Sequence, residues 1–159
     1  MPRKASVKKR EIEGDAVYGN RIVSKLINRA MRSGKKSSAA KEIYSALSII
    51  GEKTNQDPMV VFALSLENVK PVMEVRPRRI GGAAYQVPAP VRGPRRESLA
   101  VRWLIQAANA RENKEYHSFG EKLAAEIIDA SQNQGGAVRK KDNVHKMAEA
   151  NKAFAHFRW

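Results

Sequence analysis

The sequence contains no cysteine and no long apolar run, and each absence excludes a class of function. Without cysteine there is no disulfide framework, no cysteine-liganded zinc site and no thiol nucleophile. No stretch reaches the roughly 18 apolar residues of a membrane-spanning helix. The opening residues, MPRKASVKKR, lack the apolar segment of a secretory signal. We therefore expect a chain that works in a reducing, cytoplasmic setting.

Catalytic and metal-binding patterns are also missing. His117, His145 and His156 do not have the spacing of metal ligands, and surface or capping roles explain them more simply. The run GKKS at 34–37 resembles the end of a phosphate-binding loop, but the position of the first loop glycine is Arg29, inside a predicted helix. No nucleophile is paired with a base. The sequence thus predicts no enzyme, no metal, no cofactor and no small-molecule substrate.

Acidic residues are scarce beside basic ones, at 16 against 30, which gives the 159-residue chain a net charge of +14. The excess lies in three segments, residues 1–10, 70–102 and 138–159, and the rest is nearly neutral. One such segment is commonly a solvated surface, but three on one small chain are not. A field of this sign favours a polyanion, either nucleic acid or an anionic membrane surface.

Hydrophobic periodicity predicts a single, mainly α-helical domain. Asn20, the pair Asp57-Pro58, and Ser118 with Glu121 three residues later are start signals for the first, third and fifth helices. Ser37 or Ser38 is expected to start the second. The fourth helix has little polar face, which predicts a central position. The six predicted helices span about 20–32, 37 or 38 to Gly51 or shortly after, 58–70, 95–110, 118 to a break at Gln134-Gly135-Gly136, and 138–150. Ala63 and Met147 are among the residues expected on the buried sides of the third and sixth helices.

Between the third and fourth helices, residues 72–92 predict a protruding β-hairpin arm. Gly81-Gly82 suits a primed two-residue turn. Pro77, Pro88 and Pro90 cannot donate to a ladder, which excludes a central strand in a larger sheet. We expect the tip of so small a sheet to be mobile until it binds something. Basic tails are predicted at 1–17 and 151–159.

Several features favour folded RNA as the polyanion. Arginine outnumbers lysine seven to one in residues 70–102, and guanidinium groups bind phosphate in two-pronged fashion and stack on bases. A membrane-surface protein would need a basic amphipathic helix, and only 20–32 comes close, with an apolar side that fits a core. A DNA regulator would need a helix-turn-helix and a dimer seam, and neither is evident. Dispersed cations and an irregular arm suit RNA read by shape.

The stretches EVRPRRIGGAAYQVP and VHKMAEANKAFAHFRW, with the opening MPRK, resemble the bacterial small-subunit ribosomal protein seven family over nearly the whole chain. The resemblance implies a six-helix bundle with a β-arm that binds the 3′ major domain of 16S rRNA and nucleates assembly of the subunit head. It implies an arm near the exit-site tRNA and the mRNA path, and head and platform proteins as neighbours. An alternative is a translational repressor that binds its own mRNA.

The candidate rRNA-binding residues are the cations of the N-terminal tail, the arm, and the basic sides of helices one, four and six. They are Arg3, Lys4, Lys8, Lys9, Arg10, Arg21, Lys25, Arg29, Lys35, Lys36, Arg76, Arg78, Arg79, Arg92, Arg95, Arg96, Arg102, Arg139, Lys140, Lys141 and Lys146. The expected tRNA-proximal tip comprises Arg78, Arg79, Gly81, Gly82, Ala83 and Tyr85. The small residues would let the backbone approach a ligand, and Tyr85 would offer a flat surface for stacking.

Overall fold

A computed structural model describes residues 11–157 of the chain. The elements in order are α1 (Arg21–Ala30), α2 (Lys36–Thr54), α3 (Pro58–Val69), β1 (Met73–Ile80), β2 (Ala83–Pro90), α4 (Pro94–Ala110), α5 (Phe119–Ser131), α6 (Gly135–Ala150) and a C-terminal 3₁₀ helix (Lys152–Phe157). The predicted fold class, a mainly helical chain with a hairpin between the third and fourth helices, is confirmed. None of the helices in this part of the chain is long and apolar enough to cross a membrane.

Three of the predicted helix starts are made by side-chain caps. Asn20 Oδ1 accepts a hydrogen bond from the backbone N–H of Ile22 at 2.7 Å. Asp57 Oδ1 accepts from the N–H of Met59 at 2.9 Å, and a proline occupies the first position of α3. Ser118 Oγ caps α5 from a distance of 3.1 Å. Each bond satisfies a backbone donor that the first helical turn leaves without a partner.

Two helix boundaries differ from the prediction. The second helix begins at Lys36, before the predicted Ser37 or Ser38, and has no side-chain cap. It ends shortly after Gly51, as predicted, where Asn55 adopts a left-handed conformation with φ of +51°. The sixth helix begins at Gly135, inside the glycine pair that was expected only to break the preceding helix. A distant side chain explains this early start, because Glu126 Oε1 on α5 accepts a hydrogen bond from the N–H of Ala137 at 2.8 Å.

The core is centred on two helices. The fourth packs against α1, α3, α5 and α6, and the fifth packs against α2, α3, α4 and α6, so the predicted central place of α4 is shared with α5. Among the largest fully buried side chains are Phe62, Leu26, Ile43, Leu47, Leu104 and Ile127. Two residues predicted in the core, Ala63 of α3 and Met147 of α6, are instead exposed.

The arm is an antiparallel pair of strands with Arg76 opposite Val87 and Ile80 opposite Ala83. Both turn glycines have positive φ, +56° and +90°, as a type I′ turn requires. Its base is packed rather than free: β1 lies against α6, β2 lies against the 3₁₀ helix, and Val87 is buried. Only the distal half of the arm is solvent-exposed on both strands, so the arm protrudes from a fixed base.

A buried carboxylate fixes the segment that precedes α1. Asp15 accepts hydrogen bonds from the N–H groups of Val17 and Tyr18, at 3.1 and 3.2 Å, and from Tyr44 Oη at 2.6 Å. Burial alone would raise the pKa of Asp15, but the bond from Tyr44 and the backbone N–H groups outweigh it and hold the pKa below its usual value of 3.8. The same bond raises the pKa of Tyr44 to about 12.

This arrangement predicts an acid-dependent contribution to stability. Because the folded-state pKa of Asp15 is depressed, its contribution is present above the unfolded value of 3.8 and is lost as the pH falls through the lower folded value. We expect Asp15→Asn to lower the free energy of unfolding by about 1 kcal/mol at pH 7 and by much less at pH 3. Urea unfolding at both pH values measures this. Glu13→Gln, a change at an exposed acid nearby, serves as the control, and equal pH dependence of the two variants would contradict the assignment.

Candidate nucleic-acid interface

The basic stripe of α1 is partly engaged within the protein. Lys25 Nζ lies 2.7 Å from Glu97 Oε2 of α4, and this hydrogen bond holds the pKa of Glu97 below its ordinary value. Arg21 Nε donates to the carbonyl of Ile12 at 3.1 Å. Arg29, two turns further along the helix, is exposed. Lys25 therefore ties α1 to α4, and Arg29 points outward.

The base of the arm is joined to α4 through one buried acid. Glu74 is only 6% exposed, and it accepts hydrogen bonds from Arg76 Nε at 2.5 Å and from Arg95 Nε at 2.9 Å. Arg96 Nε donates to the carbonyl of Pro71 at 3.1 Å. These contacts hold three of the candidate arginines in defined orientations while leaving the side chains of Arg76 and Arg95 about half exposed.

The residues predicted at the tip of the arm lie in two different environments. The exposed members are Arg78, Arg79, Gly81, Gly82 and Ala83. Tyr85 is half-buried, and its ring centroid lies 5.2 Å from that of Phe154 and 5.8 Å from that of Phe157. Two aromatic rings of the 3₁₀ helix thus already pack on the side chain for which a stacking role was expected.

On α6, the four candidate cations do not share one face. Arg139, Lys140 and Lys146 are exposed. Lys141 turns toward α3, where its Nζ donates to the carbonyl of Asn68 at 2.8 Å, and its side chain is only 18% exposed. Lys141 therefore fastens α6 to α3, and the other three cations face solvent.

A subset of the candidates has exposed side chains that make no hydrogen bond or ion pair with any residue between 11 and 157. We call this subset the open cations: Arg29, Lys35, Lys36, Arg79, Arg92, Lys140 and Lys146. On α4, Arg102 has its Nε buried without a hydrogen-bond partner in the same part of the chain. The tail candidates Arg3, Lys4, Lys8, Lys9 and Arg10 lie outside the described residues.

A charged cluster that sequence analysis missed joins the 111–118 loop to α5. Arg111 Nη2 lies 2.7 Å from Glu126 Oε2 and also bonds Asp129, and Glu126 is only 1% exposed. The two acids outweigh the effect of burial, so that the pKa of Arg111 lies above its ordinary value. Lys122 Nζ donates to the carbonyl of Arg111 at 2.6 Å. Arg111 and its partners are more than ten residues apart in sequence, and no local motif predicts their contact.

The cleft beside this cluster carries charges of both signs. It is lined in part by Arg111, Glu115, Tyr116, Arg139 and Lys140. Within the described part of the chain, no group of three or more histidines and acids is arranged to hold a metal ion. The cluster locks a loop to two helices, and it contains no nucleophile with an adjacent base.

These features define a class of protein: a small basic helical body with a β-arm, whose open cations are exposed to solvent and would suit a polyanionic partner. The family described as "Ribosomal protein S7p/S5e" matches residues 2–152. The protein named small ribosomal subunit protein uS7 is 60% identical to this chain in Thermoanaerobacter sp. (strain X514), 58% in Caldicellulosiruptor bescii and 55% in Moorella thermoacetica, over 100% of both chains in each case. The chain belongs to the S7p/S5e family of ribosomal proteins, which confirms the family resemblance.

Proposed function

We propose that this chain is a structural constituent of the small ribosomal subunit in the cytoplasm, where it binds the 3′ major domain of 16S rRNA directly and nucleates assembly of the head. Family membership and relatives named as small-subunit proteins support the ribosomal assignment. The observation that carries direct RNA binding is the distribution of the open cations over α1, the start of α2, the arm and α6. Charges spread over several elements suit an RNA recognised by shape and by backbone contacts.

Lys25, Arg95 and Lys141, which we call the tied cations, would have a different role on such an RNA from the open cations. Lys25, Arg95 and Lys141 hold the helices and the arm in place through Glu97, Glu74 and Asn68. Because they are already paired, we expect them to contribute less to phosphate binding than the open cations. Arg102 is a special case, since its buried Nε has no hydrogen-bond partner among residues 11–157, and a phosphate oxygen would satisfy it if the side chain moved outward.

The exposed half of the arm would lie by the exit-site tRNA and the mRNA path. Gly81, Gly82 and Ala83 present backbone with almost no side chain, so a nucleic-acid backbone can approach closely. Arg79 is exposed beside them. The packed base of the arm supports this role, because a tip on a fixed base keeps a defined direction.

Hydroxyl-radical protection by the purified full chain tests the proposal. Three RNAs are compared at the same ionic strength: the 3′ major domain of 16S rRNA, its 5′ domain, and the 5′ leader of the chain's own transcript. We expect protection of the 3′ major domain and none of the 5′ domain. Protection of the leader alone would favour a translational repressor, and protection of neither the leader nor the 3′ major domain would overturn direct RNA binding.

A further inference from the structure

The outward side of α3 is apolar and uncovered. Along this side, Val60 is followed after three, four and seven residues by Ala63, Leu64 and Glu67. This spacing places the four residues in one stripe along the helix. Val60 is 60% exposed and Leu64 is 51% exposed. We call these four residues the α3 outer face.

The exposure is unusual for this helix, because α3 has almost no polar side to present to water. Glu67 is the one charged residue in Pro58–Val69. Ser65 is buried and donates to the carbonyl of Phe62 at 2.7 Å. The Asn68 amide donates to the carbonyls of Ala130 and Ser131. Helices that are apolar on nearly every side are normally buried on every side, which indicates that something covers this face.

The surroundings of the α3 outer face are acidic, in contrast to the chain as a whole. Residues 42–70 contain four acids and two lysines, Lys53 and Lys70, in a chain of net charge +14. Glu52, Asp57 and Glu67 are all exposed. Asp57 caps the start of α3, and Glu52 follows Gly51, which lies against the ring of Pro58. Glu67 is paired with Lys70, whose Nζ lies 2.5 Å from Glu67 Oε1. Glu52 and Asp57 are therefore the exposed acids near the start of the stripe that have no ion-pair partner among residues 11–157.

We propose that the α3 outer face docks a basic protein neighbour in the assembled subunit. An apolar side chain of the neighbour would sit between Val60 and Leu64, and its lysines or arginines would face Glu52 and Asp57. The proposal rests on the assignment of this chain to the small subunit. The fit is one of charge as well as of apolar surface, since most of this protein's own exposed charge is of the opposite sign.

The same features disfavour other occupants. RNA would place phosphates against acids and apolar side chains. A second copy of this chain would bring the same acids face to face in a twofold contact. The patch is also small for a stable dimer, which buries about 1,200–2,000 Å² in total. A neighbour held on the same RNA needs little intrinsic affinity, because the shared scaffold raises its effective concentration.

Photo-crosslinking in assembled particles tests which occupant is present. The full chain with Leu64→p-benzoylphenylalanine is incorporated into small subunits, which are purified and irradiated, and the crosslinked species is identified by mass spectrometry. The expected product is one basic protein of the subunit. A crosslink to RNA or to a second copy of the chain, or no crosslink at all, would overturn the proposal. The same label at Gln106, which is exposed on α4 and lines the cleft beside Arg111, is the matched control and should give little of that product.

A charge swap separates a basic partner from RNA directly. With the photo-reactive residue moved to position 60, Leu64→Lys should lower the yield of the same crosslink about fivefold relative to Leu64→Glu, as one unfavourable pair of surface charges would do. The two variants remove the same apolar side chain and differ only in the sign of the charge that replaces it. The opposite order, or equal yields, would contradict a basic partner.

Binding of the free variants to the 3′ major domain of 16S rRNA is measured in parallel. We expect it to be unchanged, because the α3 outer face carries no candidate RNA-binding residue. If the unsubstituted chain failed to bind that RNA, the proposed function would fail. If it bound normally and the crosslinks were absent, only the docking proposal would fail.

Discussion

Glu126→Leu should lower the free energy of unfolding by about 3 kcal/mol, the lower end of the cost of removing one partner of a buried ion pair, because Arg111 keeps Asp129 as a second partner. Glu126 is 1% exposed, and each of its two carboxylate oxygens makes a separate contact. One accepts from Arg111 at 2.7 Å, and the other caps the N-terminus of α6 through Ala137 at 2.8 Å. Leucine removes both, so the 111–118 loop and α6 lose their common anchor. Chemical denaturation of the free protein measures the loss.

Two further variants separate the charge from the cap. Glu126→Gln keeps an acceptor for the Ala137 N–H but loses the charge facing Arg111, so we expect it to be destabilised less than Glu126→Leu. Adding Arg111→Met to Glu126→Leu should restore part of the stability, because it removes a mostly buried guanidinium that would keep only the partly exposed Asp129 as an ion-pair partner. Glu149→Gln, at an exposed acid of α6, is the control. A loss below about 1 kcal/mol for Glu126→Leu, the size of an ordinary point-mutant effect, would show that the cluster is not an anchor.

The second large effect concerns RNA affinity. Replacing three open cations, Arg29, Arg92 and Lys140, by alanine should weaken binding to the 3′ major domain of 16S rRNA by one to two orders of magnitude, at about 0.5–1 kcal/mol for each exposed charge contact. The melting temperature should hardly change, because none of the three has a partner among residues 11–157. Filter binding at fixed salt and a thermal melt measure the two quantities.

A triple variant at the tied cations Lys25, Arg95 and Lys141 removes the same net charge and is the matched control. It breaks contacts to Glu97, Glu74 and Asn68, so we expect a lower melting temperature and a smaller direct effect on affinity at a temperature where the variant is folded. Equal losses of affinity in both triples, with equal melting temperatures, would mean that net charge alone governs binding. The distinction between open and tied cations would then have no functional meaning.

The features that sequence predicted well are those decided by adjacent residues. Asp57 and Pro58 start α3 through one local hydrogen bond and a fixed φ, and neither needs the rest of the fold. Gly81-Gly82 specifies a primed turn, and the turn sets the register of the arm. The basic segments could also be located, because their charge is counted from adjacent residues. Which of their cations form ion pairs within the fold could not be predicted in this way.

The features that sequence missed depend on contacts between distant segments. Glu126 meets Arg111 and Ala137 only after α5 and α6 have packed, and no spacing rule links these residues. Tyr85 packs on Phe154 because the C-terminal segment folds back on β2, and that segment has no hydrophobic period. The apolar residues of α3 run almost continuously, so their spacing did not indicate which side of the helix is buried. Ala63 was therefore predicted in the core.

A salt titration of binding to the 3′ major domain of 16S rRNA tests the central claim most directly, namely that the cations of this chain neutralise phosphates of a folded RNA. If about eight phosphates are neutralised, the logarithm of the association constant should fall against the logarithm of the salt concentration with a slope of about −6 to −7. A slope shallower than about −2, or equal affinity for a DNA duplex of the same length, would contradict the account.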